Sequence, residues 1–200
     1  MDRKPDLKSR MRETATAAIL DAVEALAVER GVDATSIAAI AERAGVAVGT
    51  LYNYFPDREG MFIALFRARR AEIAPRIAAA ATAAAELPFE ERLRAFMRGA
   101  NAAFDDKRAF IQLAITMDAT RLIPNDTSLL EQIQQHVHDI LSAAAATGAF
   151  SASRVDAYMH VLIGAMRGLK NAQVAADEVF DADFLVDTFL HGVKGASRPR

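Results

Sequence analysis

Residues 44–55, AGVAVGTLYNYF, place a turn-forming glycine, a row of very small side chains and an aromatic end in one short stretch. Small residues at Ala47, Gly49 and Thr50 let a helix backbone lie close to another surface, and the base edges of a DNA major groove are such a surface. Thr50 can hydrogen-bond a base, and Val48 can touch a thymine methyl. At the other end, Tyr52 and Tyr54 carry hydroxyls that can donate to phosphate oxygens and fix a helix in register. Phe55 has no polar atom and is expected to pack inward. Arg58, in the first turn of the next helix, adds a positive charge where free amides already favour phosphate.

A helix used in this way must be held at a steep angle by a neighbour. That requires a small residue on the first helix, a turn residue tolerant of positive φ, and an apolar residue on the second helix facing back. Ala41, Gly45 and Leu51 meet the three demands, and Val46 can plug the space beneath the turn. This is the helix-turn-helix pattern, whose second helix enters the major groove. Ser36 offers an N-cap oxygen, and Ile37, Ile40, Ala41 and Ala44 form the apolar stripe of a short helix that Gly45 stops. The reading helix is predicted over 47–54, with Pro56 and Asp57 marking a break before a fourth helix that starts near Arg58.

Upstream, Ile19, Ala22, Val23 and Leu26 recur at helical steps and predict a first helix over 9–30, ended by Gly31. Downstream, Met61, Leu65, Phe66 and Ile73 mark the fourth helix, where Pro75 predicts a kink or an end. Breaks are expected at 86–88, 105–107, 123–126 and 147–151. The alanine runs at 78–85 and 143–146 read as helix. Two long helices are expected over 153–175 and 183–194, followed by a frayed tail. Nothing alternates as a strand does, so the fold class is all-α.

With 200 residues and 52% hydrophobic content, the chain can fill a sizeable core. It has no cysteine, which excludes disulfides, thiolate zinc sites and a cysteine redox switch. The charged start, MDRKPDLKSR, and the lack of a long apolar run lead to an expected cytoplasmic location with no membrane partner. A net charge of −2 argues against a general polyanion coat but leaves a local site open. From 34 to 60, Arg43 and Arg58 face Glu42, Asp57 and Glu59, so the motif itself is not basic. The arm before it is, since Arg3, Lys4, Lys8, Arg10 and Arg12 outnumber Asp2 and Asp6, and such arms can lie along phosphates. His136 and His138 are two apart, not the four that suits joint metal ligation from a helix. No nucleophile motif, carboxylate pair or phosphate-cradling loop is present, so no enzyme, metal or cofactor is expected.

Residues 12–66 resemble the DNA-binding domain of the TetR family of bacterial transcriptional regulators. Gly31, the hydroxyl pair Thr35 and Ser36, IAERAGV, GTLYNYF and the basic residue at Arg58 fall in order at the expected intervals. The resemblance implies phosphate contacts at Thr35 or Ser36, Tyr52, Asn53, Tyr54 and Arg58. It implies base reading at Ala47, Val48, Gly49 and Thr50. Ala47 stands where many members have serine, which removes an N-cap oxygen, and Gly60 weakens the start of the fourth helix. The family also implies an all-helical homodimer, a second domain that binds a small ligand, and a four-helix interface made by the last two helices of each copy.

The expected organisation is therefore a three-helix helix-turn-helix domain over 1–56 and a helical effector-binding and dimerisation domain over 57–200. Phe96, Phe104, Phe110, Leu113, Met117, Met159 and Met166 supply aromatic and thioether surface suited to a greasy pocket. Apolar stripes at Leu162, Met166, Leu185 and Phe189, with the small face at Gly164 and Gly168, suit a dimer seam. The expected function is a repressor that binds a palindromic or near-palindromic double-stranded operator as a homodimer and is released by a small apolar or amphipathic molecule. A ligand-responsive activator and a dimeric scaffold acting through protein partners are the alternatives.

Overall fold

Helices account for nearly all of the described residues, and no strand occurs among them. The computed structural model describes residues 7–117, 129–176 and 181–196. The expected break at 123–126, the arm residues Arg3 and Lys4, and the tail beyond 196 lie outside the described residues. In chain order the helices are α1 (Leu7–Arg30), α2 (Ile37–Ala44), α3 (Val48–Tyr52), α4 (Arg58–Ala83), α5 (Phe89–Ala102) and α6 (Arg108–Thr116), then α7 (Leu129–Ala146), α8 (Val155–Ala176) and α9 (Ala182–Ala196). Short 3₁₀ turns at Asp105–Lys107 and Ala152–Arg154 precede α6 and α8.

The chain forms two compact units. The first holds the described residues up to 70 together with 109–117, and the second holds the remainder. In the first unit, Ile19, Val23, Leu26, Ile40, Leu51, Met61, Leu65 and Phe66 form the core, each fully or almost fully buried. Phe110 packs on Phe66 with ring centroids 5.4 Å apart. Gly31, at φ 84°, ends α1 with its N–H on the Ala27 carbonyl, a left-handed stop that a side chain would strain. A nearly buried ion pair joins α4 to α1: Arg69 Nε donates to Glu24 Oε2 at 2.7 Å, with side chains 13% and 12% exposed.

Gly60 has a local reason. A Cβ there would stand 3.0 Å from the Pro56 ring, and the Gly60 N–H is capped by Asp57 Oδ1 at 2.7 Å. Pro75 neither ends α4 nor lies in the core. It is exposed inside the helix while Ile73 and Ile77 on the other side are fully buried, and that burial carries the helix past the lost backbone bond to Ala83.

The second unit packs α5 against α7 and α9, α7 against α8, and α8 against α9. Leu93, Phe96, Met97, Val137, Leu141, Leu162 and Val186 are among its most buried apolar residues, with Ile73 and Ile77 of α4. Gly99 on α5 touches Ala80 on α4 so closely that a Cβ at 99 would lie 2.5 Å from the alanine Cβ. Arg94 and Arg98 of α5 bind Asp183 of α9, and Arg94 also binds Asp187. Hydrogen bonding to these guanidiniums, Arg98 first for Asp183 and Arg94 for Asp187, holds both carboxyls below the ordinary aspartate range.

Candidate nucleic-acid interface

The geometry of α2 and α3 follows from three local bonds. Ser36 caps α2, its Oγ accepting from the Ala39 N–H at 3.2 Å. Gly45, at φ 68°, turns its N–H back onto the Ala41 and Glu42 carbonyls, and the Val46 N–H reaches the Ala41 carbonyl at 3.0 Å. The chain then re-enters a helix at Val48. Leu51 is the pin: it is fully buried, and Ala41, at 3% exposed, supplies the small surface of α2. The reading helix is shorter than the predicted 47–54. Ala47 is its N-cap with no side-chain bond, and Asn53 and Tyr54 lie in the turn that follows, their N–H groups on the Thr50 and Leu51 carbonyls. Phe55 is buried, as its chemistry requires.

Around that pin the other positions face out. Val48 is 43% exposed and Tyr52 52%. Ala47, Gly49 and Asn53 are exposed, and Thr50 and Tyr54 are half-buried. At Gly49 a Cβ would meet no atom within 4 Å, and its φ is not positive. Neither packing nor backbone conformation within the chain calls for glycine, yet glycine in a helix costs about 1 kcal/mol relative to alanine.

The N-terminal turns of α1 flank this surface. A cleft of about 540 Å³ is lined by Leu7, Lys8, Met11, Arg12, Thr50, Asn53 and Tyr54. The Arg12 guanidinium carbon lies 5.4 Å from the centre of the Tyr54 ring, a cation–π distance that holds ring and charge together. The sequence reading has Lys8 and Arg12 only as part of a basic arm. Their four-residue spacing, shared by Leu7 and Met11, is the signal that they belong to a helix with a defined face.

Two residues expected to touch phosphate are turned inward. Thr35 is 1% exposed and spends its hydroxyl on the Gly31 carbonyl at 2.9 Å, so it braces the turn after α1 and presents nothing to solvent. Its neighbour Ser36 is the exposed hydroxyl of the pair. Arg58 is turned inward: Nη2 donates to the Val32 carbonyl, the guanidinium lies 5.5 Å from the centre of the Phe62 ring, and Nε is buried with no hydrogen-bond partner among the described residues. Arg43 is committed as well, with Nη1 2.6 Å from Glu29 Oε2. That hydrogen bond holds the Glu29 carboxyl below its usual range and raises Arg43. Positive charge at the reading surface therefore comes chiefly from α1.

The seven residues expected to line a ligand pocket divide between the units. Phe110, Leu113 and Met117 belong to the first, and Phe96, Phe104, Met159 and Met166 to the second. Phe96 is fully buried with its ring 5.4 Å from that of His136, and Lys170 Nζ lies 5.2 Å from the centre of the Phe104 ring. Met117 lines an open cleft of about 420 Å³ with Val32, Phe62, Asp57, Arg58 and Glu59, a setting of mixed apolar and charged groups.

The expected dimer residues divide between the inside of the second unit and its surface, where Gly164 lies. Leu162, Met166, Leu185 and Phe189 are all buried within the second unit, and Phe189 stacks edge-on with Tyr158 at 5.5 Å. The outward positions at helical spacing are Val161, Gly164 and Gly168 on α8, and Phe184, Thr188 and Gly192 on α9. Val161 and Phe184 are each 60% exposed, and a Cβ at any of the three glycines would meet nothing within 4 Å. A helix between a core and an outer surface carries two apolar stripes, and periodicity cannot say which is the inner one.

Residues 19–65 match the family model described as bacterial regulatory proteins, tetR family. The matched segment covers α2, α3, the cap residues and the start of α4 as described above. Over this segment the chain is similar to the tetR family. Among similar proteins, the HTH-type transcriptional repressor KstR of Rhodococcus jostii is 47% identical over 58 residues, covering 29% of this chain and 27% of that protein. KstR of Mycobacterium tuberculosis is 30% identical over 130 residues, covering 65% of this chain and 58% of that protein. The chain thus matches between about a quarter and three-fifths of the length of these relatives. The fold extends further: the fatty acid degradation regulator FadR of Bacillus halodurans superposes with a TM-score of 0.69 at 22% identity, covering 99% of this chain and 100% of that one. FadR of Bacillus subtilis, solved in complex with stearoyl-CoA, superposes with a TM-score of 0.65 at 19% identity, covering 88% and 96%.

Proposed function

We propose that the protein is a DNA-binding transcriptional regulator, a repressor that leaves its operator when a small apolar or amphipathic effector binds. The observation that carries this reading is Gly49, a glycine on an exposed helix that nothing inside the chain requires. A helix backbone bared at that point suits close approach to base edges, and the exposed Ala47 and Val48 and the half-buried Thr50 beside it are small enough not to block it. Ser36, Tyr52, Asn53 and Tyr54 are the phosphate-binding groups, joined by Lys8 and Arg12 across the cleft.

The operator is read by a homodimer whose second copy covers the outward stripes of α8 and α9. The apolar side chains at Val161 and Phe184, and the bare backbone at Gly164 and Gly168, favour close helix packing there. Two-fold symmetry then implies a palindromic or near-palindromic site with reading helices about 34–36 Å apart, or a multiple of that spacing. Residues 1–56 carry the reading function, and residues 57–200 the effector and dimer functions.

The test is retention of genomic fragments by the purified protein across a salt series, with stearoyl-CoA as the first amphipathic probe. Palindromic fragments whose affinity falls steeply with salt are expected, and a ligand that both raises the melting temperature and releases the fragment supports repression. Failure to retain any fragment at low salt overturns the reading.

A further inference from the structure

The outer face of α3 has an unusual chemistry for a base-reading element. Side chains that distinguish base pairs by paired hydrogen bonds are arginine, lysine, asparagine and glutamine, and α3, with the sequence VGTLY, contains none of them. The two nearby arginines are committed elsewhere, Arg43 to Glu29 and Arg58 to Val32. Asn53 lies beyond the helix in the wall of the α1 cleft. Thr50 is half-buried, and the large side chains that stand fully outward are Val48, at 43% exposed, and the ring of Tyr52, one turn on, at 52%. Residues four apart lie on one helix face, so the isopropyl group and the aromatic ring form a single strip. Gly49 beside Val48 leaves open space where a Cβ would stand, which lets a side chain as short as valine reach the floor of a groove.

We infer that the protein selects its site through thymine C5-methyl groups, with Val48 as the contacting side chain and the Tyr52 ring as its flank. In the major groove the thymine methyl is the apolar feature that distinguishes one base pair from the others, so it is the partner that best matches an isopropyl group there. This rests on the DNA-binding reading above and says which chemical feature of DNA that site recognises.

The experiment removes methyls and nothing else. Duplexes that the full-length protein retains from a randomised library are re-amplified in parallel with dTTP and with dUTP. Uracil keeps the hydrogen-bonding edge of thymine and lacks its methyl. Each lost methyl contact is expected to weaken binding about fourfold, or about fifteenfold when one is lost from each half of a two-fold site. The salt dependence of binding stays the same. Val48→Ala is expected to bind the thymine and uracil forms equally and to melt at the native temperature, since Val48 is exposed. Equal binding of the two forms by the native protein overturns the inference while leaving DNA binding intact. A uracil penalty that persists undiminished in Val48→Ala also overturns it, by assigning the effect to duplex shape. Retention of no duplex at all overturns the DNA-binding reading and this inference together.

Discussion

Arg58, the first residue of α4, donates from Nη2 to the backbone carbonyl of Val32, in the turn that follows α1. The bond clamps the start of α4 to the support of the helix-turn-helix, and the guanidinium that makes it is half-buried against Phe62. Arg58→Ala is therefore expected to lower the melting temperature and weaken all DNA sequences alike. The slope of log affinity against log salt should change by much less than the value of about one that marks a lost phosphate contact. Arg12→Ala should reduce that slope by about one. A salt titration of both variants checks the pair.

Gly49→Ala separates fold from function. Alanine adds up to about 1 kcal/mol of helix stability, because the new methyl meets nothing inside the chain. The same methyl keeps the backbone away from DNA, and affinity for a selected duplex should fall about tenfold. Thermal melting and anisotropy titration should move in opposite directions.

Gly99→Ala has the reverse logic. Its Cβ would stand 2.5 Å from that of Ala80, far inside contact distance, so the two helices must separate. A loss of about 1–3 kcal/mol is expected. Ala80→Gly in the same chain should recover part of it, and a double-mutant cycle by denaturant unfolding measures the coupling.

The inner and outer stripes of the last two helices respond differently. Val161→Arg combined with Phe184→Arg should give a monomer by light scattering with the melting of the second unit little changed, since both residues are 60% exposed. Leu162→Ala should cost about 2–5 kcal/mol, because that side chain is fully buried.

The arginine–aspartate cluster sets an acid limit. Asp183 and Asp187 have folded-state pKa values depressed below the ordinary 3.8. Their contribution to stability is complete above that value and is lost as pH falls through the depressed folded-state values. Asp183→Asn should destabilise the protein at neutral pH and flatten the fall in melting temperature below about pH 4.

Helix ends are legible in the sequence wherever the stop is local. Gly31, Gly45 and Ser36 each satisfy backbone groups within four residues of themselves, and their side-chain types announce the fact. The Ala41, Gly45 and Leu51 triplet is legible for the same reason, because a steep crossing leaves few residue types possible at those positions. Arg58 and Thr35 are not legible. Each can face solvent or fold back on a carbonyl, and the choice depends on where Val32 and Gly31 stand after the core has packed. Which stripe of α8 faces outward is not legible either: Leu162 and Val161 are adjacent and both apolar, yet the first is buried and the second exposed. The Arg12–Tyr54 contact joins residues far apart in sequence, and no local pattern encodes it.

Leu51 alone pins α3 to the core, while Ala47, Val48, Gly49 and Tyr52 are exposed around it. A helix of five residues has no stability of its own, so its shape is dictated by that anchor and the flanking turns. The outward positions are then almost free of structural duty. Descendants of this chain could exchange them one at a time, acquiring a new target site without passing through an unfolded intermediate, and the same independence makes the four positions a natural library for redirecting the protein by selection.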